Sequence, residues 1–293
     1  MHGILNILKP AGMTSHDVVV FIRRLTGVRK CGHTGTLDPG AAGVLPICVG
    51  QATRIAEYCL EMEKSYRAEI TLGTATDTED ASGTVLKQKE VGSYTEAQID
   101  AVLKSFLGRR LQTPPMYSAV KIAGQKLYER ARKGETIPRP ARQIHIFKVT
   151  FLSYRENKIM FDVTCSRGTY IRTLCREIAE ALGTVGHMSF LLRTKVGPFT
   201  LQEAYTLEEL CQLHEKNNLK EALLPLDTAL YHLPAINLDT KAAKAIKNGR
   251  AVPIDSKTHD SPLFRVYGPK QEFLALAKVS KNMLLPQKVF LYR

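Results

Sequence analysis

The 293-residue sequence is short of several things, and each shortage removes a class of protein. Long apolar runs are missing. The longest nearly apolar stretch, 41–50, is about half of what a bilayer-spanning helix needs, which excludes such a span. The first apolar run, Ile4 to Leu8, contains Asn6 and stops at Lys9-Pro10, unlike a secretory signal. The six cysteines include no Cys-x-x-Cys pair, so the grouping expected of a metal site is absent. Without a signal, they read as the reduced thiols of a cytoplasmic protein. No internal repeat or low-complexity tract occurs. Acidic residues are also scarce: 28 Asp and Glu stand against 41 Lys and Arg, for a net charge of +13. At 44% hydrophobic, the chain is not wholly disordered.

The positive excess is clustered. Residues 104–142 hold ten basic and two acidic side chains, and 232–293 carries a net +7. Such patches attract polyanions, of which phosphate backbones are the commonest in a cell. The length favours two domains. An acidic stretch before residue 231 marks the expected boundary, giving a unit 1–231 and a unit 232–293.

Periodicity predicts alternating strands and helices. A helix after Lys9-Pro10-Ala11-Gly12, capped by Thr14 or Ser15, carries Val18, Val19, Ile22 and Leu25 and stops at Gly27. The segment 32–50 reads as a loop with a short buried stretch at Val44 to Val49. Lys64 to Leu72 alternates as a strand, followed by a polar loop at 75–83. Thr95 and Gln98 form a capping box for a helix ended by Gly108. Ile144 to Leu152 and Ile159 to Cys165 read as paired strands. Gly168-Thr169 leads into a helix bearing Ile171, Leu174, Ile178 and Leu182, and Thr206 with Glu209 caps another. After a short basic helix near Asp239 to Asn248, apolar runs broken by Gly and Pro suggest a small β module.

Several residues are candidates for chemistry. Asp38 lies between Leu37 and Pro39, which restricts its backbone, among Gly32, Gly35, Gly40 and Gly43. A carboxylate so held serves as nucleophile or general base; otherwise Asp-Pro is an ordinary turn opener. Arg172 occupies the first turn of a helix, against the helix dipole. Pairing with a carboxylate such as Asp38, phosphate contact, or plain solvation would each account for it. Arg167 reads as a phosphate contact or as exposed. Tyr66 is a core aromatic or a stacking platform for a base. His33 and Asp80 form a polar pair or are separately structural. The run containing Tyr117, Lys121, Lys126, Tyr128, Arg130, Arg132 and Lys133 is a solvated helix face or an RNA backbone contact, and its charge with interleaved tyrosines favours RNA.

The block GHTGTLDPGAAGVL (32–45) resembles the catalytic motif of the TruB family of tRNA pseudouridine synthases. NILKPAGMTSHDVV (6–19), which includes Lys9, is similar to that family's KPxGxTS motif. KSYRAEITLGTATDTEDASG (64–83), CSRGTYIRTL (165–174) and HMSFLLRTKVGPF (187–199) resemble its later motifs in order and spacing. The likeness covers about residues 1–230. Residues 232–293 resemble the small PUA-type RNA-binding module of the family, with a weaker match. Gly40-Ala41-Ala42 departs from the family's more frequent Leu-Ala-Thr but spares Asp38.

The resemblance implies an α/β (α+β) fold, with a mixed, mostly antiparallel sheet, flanking helices and a PUA-like C-terminal β-barrel. It also implies the isomerisation of uridine to pseudouridine in RNA, at position 55 of the tRNA T loop, after the base is flipped out. The reaction involves no redox change, so no cofactor or metal is expected. By resemblance Asp38 is the essential carboxylate, attacking the sugar or abstracting a proton from it. Tyr66 stacks on the base, and Arg172 pairs with Asp38. Leu191 packs on the base, and His33 takes the gap left by the flipped nucleotide. Lys64 and Tyr170 belong to the same pocket, and Lys9 and Asp80 are RNA-contacting candidates. The insertion at 109–142, with Arg130, Arg132 and Lys133, is expected to clamp the tRNA T arm. The expected protein is a monomer.

Three rivals remain. One is a uridine isomerase guided by a small RNA, against which the short N-terminus and small tail argue. A second is an RNA-remodelling helper, which would not need Asp38. A third is a DNA-base glycosylase, which also flips bases but releases free base.

Overall fold

The structure, a computed structural model, describes residues 1–118, 121–122, 124–131, 134–135, 137–254 and 262–291. Ten strands form one large sheet. Its spine runs in the order Leu223–Leu224, Gly3–Lys9, Ala42–Val49, Gly186–Val196, Lys64–Leu72, Lys158–Cys165, Arg142–Arg155 and Gly108–Gln112. Cys31–His33 and Phe199–Thr200 add to its sides. The ladders are antiparallel except one: Ala42–Val49 runs parallel to Gly186–Val196, with Arg193 opposite Gly43. This is the mixed, mostly antiparallel sheet that the resemblance implied.

Local chemistry explains the elements. In Lys64–Leu72 the alternating residues Tyr66, Ala68, Ile70 and Leu72 are buried, because helices Glu96–Lys104 and Ile171–Ala181 cover that face. Helix Ser15–Thr26 starts at a reciprocal capping box between Thr14 and Asp17 and stops at Gly27, whose φ is 67°. Its Val18, Val19 and Ile22 pack on Leu5, Ile7, Leu45 and Ile47.

A smaller sheet follows, in the order Ala235–Asn237, Phe264–Tyr267, Phe273–Ser280, Met283–Val289 and Val252–Pro253. Asp239 caps helix Thr240–Lys247, whose Ala243 and Ile246 pack against Val266 and Leu274. Phe273, Leu276 and Phe290 of this sheet share one buried cluster with Ile4, Val44 and Leu230 of the larger unit. The two sheets are thus joined by apolar packing.

Three expectations are corrected. The first element is not the helix after Lys9 but strand Gly3–Lys9, which pairs along its whole length with Ala42–Val49. Residues 32–50 are not chiefly a loop. Strand Cys31–His33 and the eight-residue strand Ala42–Val49 bracket a short loop, because neighbouring strands supply the pairing that the Gly- and Pro-rich composition disfavours. The helix after Thr95 ends at Lys104, and Gly108, with φ 94°, opens the next strand.

Gly43 is set by contact. Its φ is 124°, and a Cβ there would lie 2.2 Å from the Arg193 carbonyl oxygen. Gly43→Ala is expected to destabilise the fold by about 2–4 kcal/mol through backbone strain and overpacking. Gly40→Ala, where a Cβ meets nothing within 4 Å, is expected to stay within about 0.5 kcal/mol. Urea midpoints of the two variants check this, and equal midpoints would refute the crowding at Gly43.

Candidate active site

The loop between strands Cys31–His33 and Ala42–Val49 carries Asp38 and is fastened at nearly every residue. The Thr34 amide donates to the Pro46 carbonyl at 3.1 Å. Ser15 Oγ donates to the Leu37 carbonyl at 3.0 Å and accepts from the Leu37 amide at 2.8 Å. The Gly12 amide donates to the Pro39 carbonyl at 2.8 Å, and the Ala41 amide closes a turn on the Asp38 carbonyl at 3.1 Å. The KPxG segment is therefore the floor on which the carboxylate loop rests.

Arg172 reaches Asp38 from the first turn of helix Ile171–Ala181, its Nε lying 3.0 Å from Asp38 Oδ2. The arginine side chain is 8% exposed and the carboxylate 38%. The partner is buried while the reactive group stays open. Three further contacts aim the guanidinium. Nη1 donates to the Thr78 carbonyl at 3.2 Å and lies 3.6 Å from Asp80 Oδ2. Nη2 donates to the Tyr117 carbonyl at 2.9 Å. The N-cap residue, Tyr170, is held by Gln112, whose amide oxygen accepts from the Tyr170 amide at 2.8 Å and whose Nε2 donates to its carbonyl at 3.2 Å. Of the readings open to Arg172, carboxylate pairing is the one the geometry selects.

Asp80 Oδ1 accepts from Thr78 Oγ1 at 2.7 Å and Ser82 Oγ at 2.6 Å, which turns its other oxygen toward Arg172. Next to it, Glu79 bonds Thr173 and Arg176, docking the acidic loop on the helix. The expected His33–Asp80 pair is not among the hydrogen bonds and ion pairs of the described residues. His33 Nδ1 instead accepts from the Gly35 amide at 3.3 Å. Burial and the Arg193 charge hold the His33 pKa below its ordinary value.

Tyr66 stands on the central strand, opposite Arg193 in the ladder. It shares an apolar cluster with Leu37 and Leu191, so phenol, loop and Leu191 form one wall. Burial pushes its phenol up to about 12, against the pull of Arg193. Lys64 lies beneath the loop, where a Cβ on Gly35 would sit 3.6 Å from its Cε. Its ammonium donates to the Leu60 and Met62 carbonyls, and burial, then Arg193, lowers its pKa to about 8.

Lys9 is corrected. It is fully buried, and its ammonium donates to the Pro10, Met13 and Pro39 carbonyls. Bonded inward, it offers nothing to an RNA backbone; it staples the KPxG turn to the Asp38 loop. Burial first, then Arg193, brings its pKa down to about 8. Arg167 is exposed and paired with Glu61. In the basic insertion, Arg130 Nε donates to Gln125 Oε1 at 3.0 Å and pairs with Glu135 at 3.8 Å. Arg132 and Lys133 lie outside the described residues, as do the side chains of Lys121, Lys126 and Tyr128.

Sequence reasoning missed Gln112, Ser15 as a loop anchor, and Arg193. Only Arg193 left a signal: a cation directly after the apolar run Phe190-Leu191-Leu192 of strand Gly186–Val196. It is 1% exposed, and its Nε donates to the Val44 carbonyl at 2.7 Å.

An oriented, open carboxylate beside a protonated phenol and an apolar wall is the equipment of carboxylate-dependent catalysis on a planar ring. The comparisons with known proteins agree. Residues 23–171 match the TruB family pseudouridylate synthase N-terminal domain, and 172–231 match the tRNA pseudouridylate synthase B C-terminal domain. Residues 234–290 match the pseudouridine synthase II TruB C-terminal model. The chain belongs to the TruB family of pseudouridylate synthases and is an isomerase. Similar curated proteins include tRNA pseudouridine synthase B of Alkaliphilus oremlandii, 52% identical over 86% of this chain and 83% of that protein. That of Geobacillus thermodenitrificans is 45% identical over 99% and 100%. A solved Cbf5–Nop10–Gar1 complex is similar at a TM-score of 0.77 and 30% identity, covering 99% of this chain and 85% of that one.

The raised pKa of Tyr66 has a measurable sign. The folded chain resists losing that proton, so stability from this group is present below about pH 10, the ordinary phenol value. It is lost as pH rises toward about 12. Near-ultraviolet titrations of wild type and Tyr66→Phe are expected to coincide through pH 10 and to part above about pH 11. A difference of about half a phenol at pH 10, as an ordinary tyrosine would give, would refute the burial argument.

Proposed function

We propose that this enzyme converts uridine to pseudouridine in tRNA, at the T-loop uridine of position 55. The observation that carries the reading is the Asp38 carboxylate, held at 3.0 Å by buried Arg172 yet itself open, beside Tyr66. The bond from the ribose anomeric carbon to N1 breaks, the uracil turns, and a bond to carbon five replaces it. Carbon five then loses its proton to solvent and N1 takes one up, so product and substrate have the same composition. Asp38 either adds to the sugar or removes a proton from it; both roles use an oriented, accessible carboxylate.

Tyr66 and Leu191 pack on the base, and the phenol, kept protonated by burial, exchanges hydrogen bonds rather than acting as an anion. Tyr170 and His33 line the same mouth. The target uridine leaves its stack first, at a cost of a few kcal/mol that is lowest in a loop. Residues 1–231 act as the catalytic unit, with the basic insertion near 109–142 against the T arm. Residues 232–293 serve as a PUA-like RNA-binding unit. Among the described residues no helix is long and apolar enough to cross a membrane, and the cysteines are free thiols, which supports work in the cytoplasm. Identities of 45–52% to proteins named tRNA pseudouridine synthase B favour a stand-alone enzyme over an RNA-guided one. A chain of a solved H/ACA RNP bound to a substrate RNA containing 2'-deoxyuridine is 27% identical.

Tritium release from a T-arm stem-loop labelled at carbon five of its uridines tests the reaction. Wild type is expected to release tritium, and Asp38→Asn to release none while binding RNA within about threefold of wild type. A normally active Asp38→Asn would overturn the assignment. Neutralising Arg130, Arg132 and Lys133 together is expected to weaken RNA binding and flatten its logarithmic salt dependence by about two to three. An unchanged slope would remove the insertion from the interface.

A further inference from the structure

Arg193 is a buried cation with an unusual set of partners. Its side chain is 1% exposed and ranks among the largest fully buried side chains of the chain. Among the described residues no carboxylate lies within 4.0 Å of it. Its donors go to backbone instead: Nε to the Val44 carbonyl at 2.7 Å, Nη1 to Thr36 at 3.3 Å and Nη2 to Gly35 at 3.2 Å. These carbonyls bracket Asp38 from both sides of its loop. In the sheet, the same residue pairs with Gly43 on one side and Tyr66 on the other.

A buried, desolvated charge without a counterion is costly, and an apolar side chain of similar length often fills such a place with equal or better stability. Methionine would lose the grip on three carbonyls and the fixed positive field. That field is felt across the pocket, acting on Tyr66, His33, Lys9 and Lys64.

We infer that Arg193 is a positioning residue for the isomerisation. Its guanidinium sets the backbone of the Asp38 loop against the strand that carries Tyr66, so that carboxylate and phenol flank one nucleotide at a fixed separation. Arg172 aims the carboxylate within the loop, and Arg193 aims the loop itself. The inference rests on the reading of the pocket as the site of uridine isomerisation. Because the guanidinium is sealed from solvent, it makes no contact with RNA, and its loss is felt in turnover rather than in binding.

The test uses the full chain as wild type, Arg193→Met and Arg193→Lys. Single-turnover tritium release at saturating enzyme is measured with stem-loop affinity by filter binding and the thermal midpoint. Arg193→Met is expected to turn over about 30- to 100-fold more slowly, the scale of a reacting-group misplacement near 1 Å. Its RNA affinity is expected to stay within about threefold. Arg193→Lys, which keeps the charge but reaches fewer carbonyls, is expected to recover about tenfold of that loss. A rate for Arg193→Met above half of wild type overturns the inference, as does a loss of affinity equal to the loss of rate. Should Arg193→Met fail to fold, Arg193→Lys decides: intact affinity with a rate at least fivefold down supports positioning, and a wild-type rate refutes it. An inactive wild type sinks the reaction itself and this inference with it, whereas an active wild type beside an equally active variant sinks the inference alone.

Discussion

The single parallel ladder of the large sheet, where Gly43 lies opposite Arg193, is the constraint on which the rest depends. It joins two antiparallel halves, one built on Gly3–Lys9 and Ala42–Val49, the other on Lys64–Leu72 and its partners. The backbones approach so closely there that no Cβ fits at residue 43. The chain enters Ala42–Val49 directly from the Asp38 loop, so the junction that closes the sheet also sets where the carboxylate emerges. Displacing one strand would move the loop, the buried guanidinium and Tyr66 together.

Around this junction the protein gathers positive charge near the Asp38 carboxylate. Arg172 touches Asp38 directly. Lys9 and Lys64 are bonded to carbonyls, with pKa values near 8 that reflect burial and the neighbouring Arg193. Lys9 and Arg193 spend donors on carbonyls of the Asp38 loop, which fastens the loop without covering the carboxylate. Rigidity matters because a reacting group held in place avoids an entropic cost at the moment of reaction. The loop stays open to solvent at Thr36, Pro39 and Gly40, all exposed.

The helix that carries Arg172 links this centre to more distant parts. Its N-cap is bonded by Gln112, at the start of the basic insertion, and Arg172 bonds the Tyr117 carbonyl within it. The acidic loop 77–83 is docked on the same helix through Glu79. The smaller sheet is attached through apolar packing of Phe273, Leu276 and Phe290 on Ile4, Val44 and Leu230. A basic surface and a catalytic pocket thus share one continuous framework.

Residue order alone carried a good part of this. Alternation across Lys64–Leu72, the capping box at Thr95, the cap at Thr206 and the stop at Gly27 are local effects of side-chain size and hydrogen bonding, so they were legible without tertiary contacts, whereas the choice of Thr14 over Ser15 as the first helix's cap was settled by the structure. The Asp38 loop was legible through its Gly and Pro content, and its importance through motif likeness. Strands Gly3–Lys9 and Ala42–Val49 were not, because their pairing comes from partners far along the chain that override local composition. Lys9 and Arg193 show the same limit from the side of function. A lysine or arginine in a basic protein reads as a surface charge, and only the three-dimensional packing turned these two inward onto carbonyls of the carboxylate loop. The sequence by itself determined which residues can do the chemistry; the tertiary structure decided which charges face the substrate and which hold the site together, since burial is a property of neighbours and not of residue type.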